Sequence, residues 1–80
     1  MYYVYVLKQK DSVHYYVGYT SNLLKRLKQH QENLTISTRS RQWQLVYYFA
    51  CHNQLVAMKF ERYLKTGSGR AFTIKHFDNN

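Results

Sequence analysis

Tyr16-Val17-Gly18-Tyr19-Thr20-Ser21-Asn22-Leu23-Leu24-Lys25-Arg26-Leu27-Lys28-Gln29-His30 decides the reading of this chain. It begins as a short strand, passes a glycine turn and becomes a helix. Thr20, Ser21 and Asn22 each carry an oxygen that can accept from the orphan N–H groups of a helix start. Leu23, Leu24 and Leu27 then form an apolar stripe, with Lys25, Lys28 and Gln29 left to water. Arg26 and His30 are four residues apart and stack on one flank of that helix. Two basic groups beside a buried face, just after a strand bearing Tyr16, could hold a phosphate. A solvated helix edge is the simpler reading from spacing alone.

Upstream, residues 2–8 are β-branched and aromatic and predict a strand. Tyr3, Tyr5 and Leu7 face one side of it, Tyr2, Val4 and Val6 the other. Lys10-Asp11-Ser12 is a hairpin turn, and residues 14–19 are the second strand. A loop over residues 9–12 sets Tyr5 directly across from Tyr16, with Cβ atoms roughly 5 Å apart. A slip of one residue would put the two phenols on opposite faces.

Downstream, the first helix runs to Glu32 or Asn33. The loop from Leu34 to Gln42 carries Thr35, Ser37, Thr38, Arg39, Ser40 and Arg41, which suits phosphate contact or a plain polar connector equally. Trp43 to Cys51 is the third strand, with Trp43, Leu45, Tyr47 and Phe49 on one side and Val46, Tyr48 and Ala50 on the other. Both sides are apolar, so the expectation is cover on both faces. A second helix runs from His52 or Asn53 to about Thr66, with Val56, Phe60, Tyr63 and Leu64 buried. Gly67-Ser68-Gly69 breaks it, and Arg70 to Phe77 is a short third helix.

Eighty residues make one small domain, and the 45% of hydrophobic residues supports one modest core. Cys51 has no partner for a disulfide or a zinc knuckle. The N-terminal apolar run is too short for a signal peptide or a membrane span, and the expected location is cytoplasmic. Twelve Lys and Arg against four Asp and Glu give a net charge of +8. So strong a field on so small a domain favours a polyanion, with nucleic acid first.

Among the four acids, only Glu61 lies on an apolar-patterned helix, on a stripe with Ala57 and Leu64. A surface ion pair with Lys59, Arg62 or Lys65 is its plain reading. If it faces inward, it must be paired or bind a cation. One carboxylate with several waters is how Mg²⁺ is commonly held beside a phosphate. The candidate set is therefore Tyr5, Tyr16, Arg26, His30 and Glu61. Glycosidase, protease and two-metal nuclease readings lack parts.

Tyr3-Val4-Tyr5 and Tyr16-Val17-Gly18 resemble the two motifs of the GIY-YIG nuclease superfamily. Gly18-Tyr19-Thr20, Asn22-Leu23, Arg26-Leu27 and His30 match that family's next helix. Ser37-Thr38, Leu45-Val46-Tyr47-Tyr48, Ala57-Met58 with Glu61, Leu64-Lys65 and Gly67 to Arg70 follow in order. The chain is most similar to small standalone members related to the N-terminal nuclease domain of the excinuclease C subunit, over residues 1–80 as a single domain. The resemblance implies an α+β sandwich, a three-stranded antiparallel sheet flanked by helices in the order β-β-α-β-α-(α). It implies hydrolysis of DNA phosphodiester bonds, in repair, recombination or mobile elements, with one Mg²⁺ or Mn²⁺ ion held at Glu61. By the same analogy Tyr5 is the general base and Tyr16 positions the water or the phosphate. Arg26 stabilises developing charge, and His30 orients Tyr5 or shares the proton transfer. Thr38, Arg39, Arg41, Lys65 and Arg70 are the expected substrate contacts. A tyrosine serves as a base near neutral pH only if nearby cations depress it, a task for Arg26 and the metal ion. The alternative is a nucleic-acid-binding module with little or no cleavage. Two departures from the family are Tyr3 in place of a glycine and no match for an asparagine after the metal-binding helix.

Overall fold

The computed structural model describes residues 1–9, 14–31 and 43–77. The side chains of His30 and Gln31 fall outside that description, as do Thr38, Arg39 and Arg41. The elements run β1 (Tyr2–Gln9), β2 (Tyr15–Thr20), α1 (Leu23–Gln31), β3 (Trp43–Cys51), α2 (Gln54–Leu64) and α3 (Gly67–Phe77). The three strands form one antiparallel sheet in the order β2-β1-β3. This is the expected α+β arrangement. Among the described residues no helix is long and apolar enough to cross a membrane.

β1 lies at the centre of the sheet, and Val4, Tyr5, Val6 and Leu7 are all buried. Alternation sends Val4 and Val6 to one face, where they pack with Tyr47, Ala57 and Leu64. α2 therefore docks on that face. Burying each such aliphatic side chain contributes on the order of 1.5–3 kcal/mol. Tyr5 and Leu7 occupy the opposite face.

The helices start where asparagines cap them. Asn22 Oδ1 accepts from Lys25 N–H at 3.1 Å, and Asn53 Oδ1 accepts from Val56 N–H at 3.1 Å. Thr20 Oγ1 supports the first cap by accepting from Asn22 N–H at 3.0 Å.

Several sequence expectations are corrected. Tyr5 sits opposite Gly18, and Tyr16 opposite Leu7. The hairpin closes one position later on each strand, where Gln9 N–H donates to the His14 carbonyl at 3.0 Å. This is a two-residue shift, so the two phenols still share a face. Gly18 is a residue of β2, not a turn. β3 is an edge strand with Leu45, Tyr48 and Phe49 exposed, so it is not covered on both faces. Its apolar stripe is also split. A register irregularity opposite Val6 and Leu7 pairs Tyr47 with Val6 but Leu45 with Leu7. Trp43 and Leu45 thereby join the face of Tyr5, while Tyr47 and Phe49 stay with the core.

The helices carry corrections too. Leu24 is 81% exposed, because of the three α1 leucines Leu23 and Leu27 are the two that turn inward. On α2 the buried residues are Ala57 and Leu64, with Val56 and Tyr63 exposed. The stripe that carries Glu61 is thus the inward one. Gly67-Ser68-Gly69 opens α3 instead of separating the helices. The break lies at Lys65 and Thr66, and Thr66 Oγ1 accepts from Gly69 N–H at 3.2 Å. A Cβ at Gly69 would overlap the Tyr63 carbonyl oxygen and Leu64 Cα. Glycine there lets α3 fold back tightly on α2.

Candidate active site

A cavity of about 540 Å³ opens along β2, the edge strand beside β1. Tyr5, Tyr16, Arg26 and Glu61 all line it, together with Lys65 and Arg70. Four elements supply the first four of these groups. β1 and β2 bring the phenols, α1 the guanidinium of Arg26, and α2 the carboxylate of Glu61. Lys65 caps the end of α2, and Arg70 sits in the first turn of α3.

Tyr5 is 1% exposed. The outer end of its ring lies over Gly18, where a Cβ would overlap Cζ and Oη. The phenol therefore reaches across β2 toward the cavity. Tyr16 stacks beside it, with ring centroids 6.4 Å apart and planes at 29°. Trp43 meets Tyr16 edge-on at 6.1 Å, which fixes the second ring from the other side.

Burial pushes the Tyr5 phenol up to about 12, since a phenolate there would lose its hydration. Tyr16 adds to the rise, Arg26 opposes it, and Glu61 adds a little more. The sequence argument relied on cations to depress this group. In the folded chain Arg26 acts in that direction, but burial outweighs it. At neutral pH Tyr5 is a protonated phenol and a hydrogen-bond donor.

Glu61 is the only carboxylate side chain among the described residues. Its side chain is 23% exposed, and its Oε2 accepts from Lys65 Nζ at 3.0 Å. The plain reading of an i,i+4 ion pair is thus realised, and the carboxylate also faces the cavity. No group of three His, Cys, Asp or Glu side chains forms among the described residues. The side-chain oxygens lining the cavity are one carboxylate, the phenols of Tyr5, Tyr15, Tyr16 and Tyr19, and the Thr73 hydroxyl. Such a hard donor set fits Mg²⁺ or Mn²⁺ that keeps several waters and shares a substrate phosphate. It does not fit an all-protein cage.

Of the remaining sequence candidates, His30 lies in α1 with only its backbone described. Thr38, Arg39 and Arg41 lie outside the described residues. The sequence reading missed His14 and Thr73, which also line the cavity. Thr73 Oγ1 is 2.7 Å from the Tyr47 hydroxyl inside the core. Neither residue belongs to a motif, and only the fold of α3 onto the sheet brings Thr73 there.

The scaffold is an open three-stranded α+β sheet with a phenol pair, an arginine and one glutamate around a cavity at its edge. The model of the GIY-YIG catalytic domain matches residues 1–75, so the chain belongs to the GIY-YIG family. Comparison with curated proteins and with solved structures gave no significant match. Family membership makes this a nuclease-type hydrolase domain for which DNA is the implied substrate, and such nucleases are generally dependent on divalent metal.

Proposed function

We propose that this chain is an endonuclease that hydrolyses DNA phosphodiester bonds with one divalent ion, Mg²⁺ or Mn²⁺, held by Glu61. The observation that carries the reading is the shared cavity. Tyr5, Tyr16, Arg26 and Glu61 come from four elements and face one volume. A module that only bound nucleic acid would have no use for a buried phenol stacked on a half-buried one beside the sole described carboxylate.

Each side chain has a task its chemistry suits. The ion would stabilise charge on the phosphoryl oxygens as a Lewis acid. Arg26 supplies a second, fixed positive charge for the same oxygens. Tyr5 enters as a neutral phenol, held in place over Gly18. It aligns the attacking water by hydrogen bonding, and it would serve as general base by passing its own proton to a second water in the cavity as it takes the proton of the attacking one. Tyr16, stacked against it, orients the water or the phosphate. Lys65 and Arg70 contact flanking phosphates, and the +8 charge of the chain draws the polyanion in. His30 orients Tyr5 or shares the proton transfer, and Thr38, Arg39 and Arg41 contact the substrate backbone. The substrate is DNA in a branched, damaged or single-stranded form.

The test is incubation of the purified chain with a panel of DNA structures, with and without Mg²⁺ or Mn²⁺. Cleavage that needs the ion and is abolished in Glu61→Ala, with salt-sensitive DNA binding kept, supports the reading. Undiminished cleavage by Glu61→Ala rejects the metal assignment.

A further inference from the structure

Glu61 is the residue proposed above to hold the ion, yet one of its oxygens already carries a cation. Lys65 Nζ lies 3.0 Å from Oε2, one helical turn on. Both residues line the cavity, as do Arg26 and Arg70. Lys65 is 55% exposed, so its ammonium can leave the carboxylate without disturbing the core. We propose that Lys65 is a resident competitor for the metal position. It neutralises Glu61 before the ion arrives, and moves onto a DNA phosphate when the ion takes its place.

The argument rests on the metal reading of Glu61 and on electrostatics. A dication and an ammonium cannot both sit against one carboxylate oxygen without strong repulsion. Glu61 has no second acid among the described residues to share that load. Without Lys65, Arg26 and Arg70 would remain as the basic side chains of Lys or Arg lining the cavity among the described residues. The exchange is a change of partners only. Lys65 keeps its charge, and the carboxylate trades one positive group for another. Once released, the ammonium remains in a cavity suited to phosphate oxygens. DNA that draws Lys65 away thereby favours the ion, and the ion favours DNA by the same factor. Lys65 is a positioning residue in this scheme, acting through Glu61 and the substrate.

The experiment is titration of the chain with Mn²⁺ alone, without DNA, followed by the paramagnetic signal of the free ion. Lys65→Met removes the competitor and keeps the aliphatic stem. It is expected to bind Mn²⁺ about tenfold more tightly than the unmodified chain. Lys65→Arg restores the charge and is expected to return the affinity to within about twofold of the unmodified chain. In a second arm, Ca²⁺ should strengthen oligonucleotide binding by the unmodified chain, and Lys65→Met should lose most of that gain. Mn²⁺ affinity in Lys65→Met that is unchanged or weaker overturns the exchange. If the unmodified chain binds Mn²⁺ no better than Glu61→Gln does, the metal reading fails and the exchange with it. Circular dichroism of each variant confirms that the comparison is between folded proteins.

Discussion

The outer end of the Tyr5 ring occupies the space where residue 18 would carry a Cβ, and that residue is Gly18. The two face each other across the β1–β2 pair. A glycine in a strand interior weakens the sheet, so its place here has a cause outside the backbone. The missing side chain is the slot through which a buried phenol reaches the cavity. In Gly18→Ala the new methyl overlaps Cζ and Oη, and the ring must swing away. We expect a loss of about 1–3 kcal/mol in stability and a loss of cleavage larger than the loss of DNA binding. Thermal unfolding and single-turnover cleavage read the two effects separately. A variant with unchanged rate would remove the positional argument for Tyr5.

Burial raises Tyr5 to about 12 from an ordinary 10.0. The folded chain thus holds this proton more tightly than the unfolded chain. Its contribution to stability is complete below pH 10 and is lost as the pH rises through about 12. Tyr47, also raised by burial, adds a slope of the same sign. Tyr5→Phe should therefore unfold less steeply across alkaline pH than the unmodified chain, with part of the slope remaining. Denaturant titrations at several pH values measure this. Equal slopes in the two proteins would show that Tyr5 is not held in an apolar setting.

How far the sequence foretold this arrangement depends on the residue. Period-two patterning located all three strands, and Asn22 and Asn53 marked two helix starts, because both signals are local. The spacing of Glu61 with Ala57 and Leu64 marks its stripe but leaves a surface ion pair as the plainer reading; the structure realises that pair and also turns the carboxylate to the cavity. The pairing of Tyr5 with Gly18 was not legible, since a four-residue loop can close at 9–12 or one step later without altering the apolar pattern. Strict alternation puts Trp43 and Leu45 on the wrong face, because the bulge in β3 falls in a run with apolar side chains on both sides. No periodicity marks an extra residue there. Gly69 was read as a breaker because its close approach to Tyr63 is a tertiary fact.

Arg26 faces the cavity and opposes the rise of Tyr5. In Arg26→Ala turnover should fall by at least tenfold, on the scale of removing one preorganised charge from a transition state. DNA affinity should drop little, and the slope of log affinity against log salt should change by about one. Gel-shift titrations across salt, set beside cleavage rates, separate the two. A large fall in affinity with turnover preserved would move Arg26 from catalysis to binding.

Gly67 and Gly69 are two residues apart at the start of α3 and should respond in opposite senses. A Cβ at Gly67 meets nothing within 4 Å. Alanine there gains helix propensity, worth up to about 1 kcal/mol in a helix interior and less in the first turn. At Gly69 the same methyl runs into the backbone of Tyr63 and Leu64, which cannot yield as a flexible side chain would. Moving α3 away would also strain the 2.7 Å hydrogen bond between Tyr47 and Thr73. Gly67→Ala is therefore expected to leave the unfolding midpoint unchanged or raised, and Gly69→Ala to lower stability by about 1–3 kcal/mol. Because Arg70 follows Gly69 directly and lines the cavity, the second variant should also weaken DNA binding, and the first should not. Chemical denaturation and binding titrations on the pair decide it. Equal stability in the two variants would mean that α3 does not rest closely on α2 at Gly69.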